Sequence, residues 1–221
     1  MSSNSSARII HMPVGRIRDR VPLRDQMDEH QREMFNHMIS VSNRGLLHRE
    51  YLQQLLRICS KSPRALLLRD DNMTEEEYNN VALEAAFICG AADVKLVLHD
   101  HVEIARGLGL RSIHLSYNQL ERMTECGRDP YEYFDEIGCS VLTRFEAKSA
   151  EKMGAGYVTV GEPSSEEMLW GKSMKERCEE ISEIVSIPVL AEEDVLPNLQ
   201  QIREMFGAES SGCIFSAMMQ V

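Results

Sequence analysis

Histidine and carboxylate residues recur in this chain where short apolar runs stop. The stretch KLVLHDHVEIARGLGLRSIHLSYNQL, residues 95–120, holds two such runs, Leu96–Leu98 and Ile113–Leu115, separated by a helical segment. His99 and Asp100 follow the first run, and His114, Ser116 and Tyr117 lie within or just past the second. An imidazole beside a carboxylate can move a proton or hold a cation. More carboxylates stand after other apolar runs: Asp70, Asp71, Glu162, Glu192, Glu193 and Asp194. If they share one rim, that rim favours a metal cation or an amine over a diphosphate. Plainer readings stand beside this one. Asp194 precedes a helical pattern and suits an N-cap. His114, inside an apolar run, reads first as a hydrogen-bonded core histidine. Arg69 has Asp70, Asp71 and Glu103 as candidate ion-pair partners. Tyr117 and Trp170 either line a pocket or pack beneath loops.

The elements that must position these residues alternate along the chain. MISVSN, ALLLRD, Leu96–Leu98, Ile113–Leu115, Ile137–Leu142, Tyr157–Val160, Ile187–Ala191 and Cys213–Ser216 read as strands. HREYLQQLLRIC, a stretch opened by Thr74 and Glu77 as a capping box, and segments 145–153, 173–185 and 197–206 read as helices. Strand, crossover helix and parallel strand is the α/β repeat, and its ligands gather at the carboxyl edge of the sheet. Eight such strands predict an α/β fold, a (β/α)8 TIM barrel. Val221 follows the last strand closely, so the barrel lacks the usual final helix. The expected division is an N-terminal extension over 1–36, with one helix at 22–37, and a barrel over 37–221. That helix, or a second copy in a homo-oligomer, would cover the bare eighth position.

Composition narrows the partners. The 221 residues carry a formal net charge of −11, with 43% hydrophobic and 27% charged residues. Nucleic acid and anionic membrane would be repelled by such a surface, leaving a small-molecule ligand. Arg16, Arg18, Arg20 and Arg24 form the one basic cluster. The six cysteines contain no CxxC pair and read as small core residues. No apolar run approaches the ~20 residues that span a bilayer, and MSSNSSAR has no signal-peptide core. The expectation is a reduced, cytoplasmic protein.

The order LLLRDDNMTEEEY, LVLHDHVEIARGLGLRSIHLS, GCSVLTRFEAKSAEKMGAGYVTVG and SIPVLAEEDV resembles the thiamine phosphate synthase superfamily, which includes the thiazole tautomerase. The resemblance spans about residues 39–218 and implies a barrel. It also implies transfer of a pyrimidine from its diphosphate to a thiazole phosphate with magnesium, or a tautomerisation. The family's glutamine, arginine and lysine after the second strand fall at Leu67, Arg69 and Asp71. Its asparagine and metal aspartate after the third strand fall at His99 and Asp100, and its second metal aspartate at Gln119. The fifth-strand serine falls at Ser140. The threonine- and lysine-rich loop becomes EPSSEEMLWG, where Glu162 takes the place of the tautomerase's catalytic histidine. Glu193 and Asp194 replace the glycine pair that holds the thiazole phosphate. A carboxylate there repels phosphate and blocks close backbone approach. The resemblance thus points to Glu162 as acid/base, Asp100 as metal ligand, and Arg69, His99 and Ser140 as substrate-binding, and Tyr117 and Ser216, at strand ends, join the expected substrate-binding residues. Ordinary synthase activity is not expected. The alternatives are a barrel acting on a less anionic substrate and a non-catalytic binding or regulatory barrel.

Overall fold

A computed structural model describes residues 38–42, 48–70, 73–161, 173–193 and 212–215, together with Glu29. The strands are β1 (Met38–Val41), β2 (Ala65–Leu68), β3 (Lys95–His99), β4 (Ser112–Ser116), β5 (Glu136–Val141), β6 (Tyr157–Val160), β7 (Val189–Glu193) and β8 (Gly212–Phe215). Among the described residues the helices are α1 (His48–Cys59), α2 (Glu75–Ala92), α3 (Val102–Gly107), α4 (Tyr117–Glu125), α5 (Arg144–Lys152) and α6 (Met174–Ser182). Each strand pairs in parallel with the next, and β8 pairs with β1. The fold is α/β, a TIM-like barrel. Apart from Glu29, which is helical, the helix expected at 22–37 lies outside the described residues, as do the one expected at 197–206 and residues 216–221.

Strand alternation divides the apolar residues into two clusters. Leu66, Leu98, Ile113, Ile137 and Val158 join the helices in one, while Ile39, Val41, Ala65, Leu67, Val97, Tyr157 and Leu190 fill the barrel interior. Burying each such aliphatic side chain contributes roughly 1.5–3 kcal/mol. β2 is apolar on both faces, Leu66 and Leu68 toward the helices and Ala65 and Leu67 toward the interior, which is why its run reads as continuous rather than alternating. Cys59, Cys89, Cys139 and Cys178 are buried free thiols, in keeping with their reading as core residues, and Cys126 is exposed.

Local signals place the helix starts. Thr74 and Glu77 form the expected capping box of α2, and Ser173 and Glu176 form another at α6. The β4–α4 junction differs from expectation. Ser116 Oγ accepts the Gln119 N–H at 3.3 Å and caps α4, so Tyr117 is a first-turn helical residue rather than part of a loop. The spacing Ser116-x-x-Gln119 is itself a capping signature. No helix among the described residues is long and apolar enough to cross a membrane.

Candidate functional site

The register of the parallel strands sets His99 beside His114, His114 beside Gly138, and Ser140 beside Thr159, all on the inner face. The result is a polar group inside an otherwise apolar barrel. His114 Nε2 lies 2.8 Å from Ser140 Oγ and its Nδ1 lies 3.2 Å from the Tyr157 hydroxyl. Thr159 Oγ1 donates to Ser140 Oγ at 3.3 Å and lies 3.4 Å from His114 Nε2. The His99 ring stacks on His114 with centroids 5.7 Å apart. Burial, reinforced by His99 and Arg69, pushes the His114 pKa well below its ordinary value, so this imidazole is neutral. Tyr157 is driven up by burial and stays a phenol. His114 is thus the hydrogen-bonded core histidine of the plainer reading.

Gly138 makes the arrangement sterically feasible. A Cβ at that position would lie 2.2 Å from Tyr157 Cζ and 2.4 Å from His114 Nδ1. A glycine inside a strand marks close approach of other groups, and that signal identifies the site though the residue readings passed over Gly138, Tyr157 and Thr159.

Arg69 enters the mouth just past β2, its main chain held on both sides by Ser42. The Arg69 N–H donates to Ser42 Oγ at 2.9 Å, and Ser42 Oγ donates to the Arg69 carbonyl at 3.2 Å. Its side-chain partner is Glu192 of β7, with Nη1 2.5 Å from Oε1. Of the carboxylates expected to pair with it, Glu103 binds Arg106 instead, and Asp71 lies outside the described residues. The long-range partner wins because barrel closure through β8 and β1 brings β7 within reach of β2 at the mouth, a proximity that sequence separation hides. Arg177 of α6 donates to the Gly161 and Leu142 carbonyls at 2.8 and 2.9 Å, fixing the ends of β6 and β5.

Among the described residues the carboxylates of Asp70, Asp100 and Glu192 each meet different partners rather than one another, and Asp71, Glu162 and Asp194 lie outside the described residues. Asp70 is buried, with Tyr51 and Tyr78 feeling its charge in the helix layer. Asp100 has a left-handed backbone, φ 61°, and its Oδ1 accepts the Ser116 N–H at 2.7 Å. His99 Nδ1 lies 3.7 Å from Asp100 Oδ2. Asp100 and Gln119 then share a side cleft of about 210 Å³ with His101, Glu103 and Arg128. A magnesium site of the resembling enzymes' kind does not fit these residues. One Asp100 oxygen is engaged by backbone, and Gln119 Oε1 accepts from Arg122 at 2.8 Å. No group of three His, Cys, Asp or Glu side chains among the described residues is placed to hold a metal.

Of the candidates, Arg69, His99 and Ser140 come together in or beside the inner polar group. Asp100 adjoins it on the cleft side. Tyr117 does not join them: it packs on the helix-side core and its hydroxyl donates to Glu121 at 2.9 Å. Its placement follows from the Ser116 cap, which turns position 117 into the helix layer. Glu162, Trp170, Asp194 and Ser216 lie outside the described residues.

A family model described as thiamine monophosphate synthase matches residues 38–211. The chain belongs to that family. Thiamine-phosphate synthase of Halalkalibacterium halodurans is 29% identical over 142 residues, covering 61% of this chain and 65% of the relative. That of Clostridium tetani is 25% identical over 171 residues, 74% of this chain and 79% of the relative. Among solved structures, a thiamine phosphate pyrophosphorylase from Pyrococcus furiosus superposes with TM-score 0.66 at 21% identity, covering 85% of this chain and 89% of its own. An N-acetylmannosamine-6-phosphate 2-epimerase from Clostridium perfringens gives TM-score 0.57 at 14% identity, covering 87% and 92%. At these identities the solved structures speak for the fold. Within the thiamine monophosphate synthase family, the mouth of this barrel is where function must be sought.

Proposed function

We propose that the protein is a divergent thiamine phosphate synthase-like barrel of thiamine (thiazole) metabolism, handling a small, weakly anionic ligand at its mouth. The observation that carries this is the polar group of His114, Ser140, Tyr157 and Thr159 beneath that mouth, for which Gly138 clears the space. Buried polar groups need mutual satisfaction to be tolerated, and an apolar filling would be simpler. Ser140, part-buried at the upper edge of the group, is the hydroxyl that meets the ligand, flanked by His99 and Arg69.

In this reading the family's phosphate grip is largely lost. Leu67 and Asp71 stand where the resembling enzymes have glutamine and lysine, and Glu193 and Asp194 stand at the glycine pair. If the barrel is active, it is a transferase of the synthase kind or a tautomerase-like isomerase with Glu162 as acid/base and Ser216 contacting substrate. The remaining expectations belong to the same proposal: complete (β/α)8 alternation, an extension over 1–36, a cytoplasmic location, no nucleic-acid or membrane partner, and a homo-oligomer.

Thermal-shift screening tests this directly, using thiamine, the thiazole alcohol, the aminopyrimidine alcohol and their phosphates. Greater stabilisation by an unphosphorylated compound than by its phosphate supports the proposal. Greater stabilisation by the phosphates restores the ordinary synthase role. No response to any of them leaves the alternative, a non-catalytic binding or regulatory barrel or an enzyme for another weakly anionic substrate.

A further inference from the structure

The Arg69–Glu192 pair lies at the barrel mouth, and it is incomplete. Arginine recognises an anion best through two parallel N–H donors. Here Glu192 engages Nη1 alone, and Nε is buried without a hydrogen-bond partner among the described residues. Both side chains are about a fifth exposed, 24% for Arg69 and 20% for Glu192. They therefore line the rim rather than lie in the core, and a ligand can reach them. Ser42 fixes the arginine's backbone from both sides. The Glu192 carboxylate of β7 holds its guanidinium at the mouth.

We propose that Glu192 is the residue that sets the charge class of ligand at this mouth. Its carboxylate stands in for a ligand's anionic group on Arg69. An incoming diphosphate must displace it and then face an unpaired carboxylate a few ångströms away, an unfavourable exchange. A neutral or singly charged ligand leaves the pair intact. This rests on the function proposed above and deepens it, naming the side chain that excludes polyanions. Removal of the negative charge at 192 leaves Arg69 in place with its donors directed at the mouth.

Inorganic pyrophosphate is the probe, and calorimetric titration with the full chain is the measurement. The wild type is expected to show no binding at millimolar pyrophosphate. Glu192→Gln is expected to bind at least ten-fold more tightly than wild type, and Glu192→Ala to do the same should the glutamine variant fold poorly. Arg69→Gln/Glu192→Gln, which removes both charges, is expected to lose the gained binding. The inference is overturned if wild type binds as tightly as the folded variants, if neither folded variant gains binding, or if the double variant keeps it. These outcomes are distinct from failure of the proposed function, which is decided by thiamine-related compounds on wild type alone.

Discussion

The two ends of the barrel both carry cross-strand ion pairs, and they differ in completeness. At the floor, Glu136 of β5 is met by Lys95 at 2.7 Å and by Arg64 at 3.4 Å, with Ser112 Oγ at 3.4 Å. Burial alone would raise the Glu136 pKa, but Lys95, Arg64 and Ser112 outweigh it and hold the carboxyl below its ordinary value. At the mouth, one arginine meets one carboxylate through one nitrogen and leaves another nitrogen unpartnered. A saturated network serves stability, whereas a group held in place with unused donors marks a site. The contrast also separates neutral chemistry from charge. Between the ends, the His114 group is buried, uncharged and satisfied within itself.

Substitutions can break this contrast in order of expected effect. Gly138→Ala drives a methyl into Tyr157 and His114 at separations no real Cβ adopts. It should cost about 3 kcal/mol, lowering Tm by roughly 6–12 °C. An unchanged Tm would show that the polar group does not occupy the space beside residue 138. Next, His114→Ala strips Ser140 and Tyr157 of a shared partner and should cost ~2 kcal/mol in urea denaturation.

The same histidine gives a pH signature. Its folded pKa is depressed, so the unfolded chain binds the proton first. Its contribution is present above about pH 6.5, the ordinary histidine value, and is lost as pH falls below it. The wild-type-minus-His114→Ala stability difference should therefore shrink below pH 6.5, by at most ~1.4 kcal/mol per pH unit. A difference that grows on acidification would mean that His114 is charged in the fold. Smallest is the floor: Glu136→Gln should cost only ~0.5 kcal/mol, and less in molar salt, because Lys95 and Arg64 are both well exposed. A cost above that of His114→Ala would reverse the ranking of the two regions.

Much of the architecture was legible in residue order, because apolar runs end at polar residues and α2, α4, α5 and α6 open on Thr74, Ser116, Thr143 and Ser173 caps. The stretch HREYLQQLLRIC is the helix α1, and the Thr74 box opens α2 as expected. The site was legible only in part. His99, Asp100 and Ser140 follow from strand ends, since period-two alternation assigns them to a face. Glu192 as partner to Arg69 does not follow, because the two are 123 positions apart and meet only through closure across the mouth. Of the two readings of Tyr117, lining a pocket or packing beneath a loop, the packing one is nearer, though on a helix that Ser116 caps rather than a loop. Gly138 carried a readable signal, a glycine inside a strand, whose meaning appears only once His114 and Tyr157 are set around it.

Everything rests on the mouth arginine being answered from within the chain. A crystal structure grown in high phosphate or sulfate tests this most directly. The account predicts Arg69 on Glu192 and no anion against the backbone at 192–194. An anion seated there, with Arg69 turned away from Glu192 to meet it, would contradict the account and return this barrel to the phosphate-gripping members of its family.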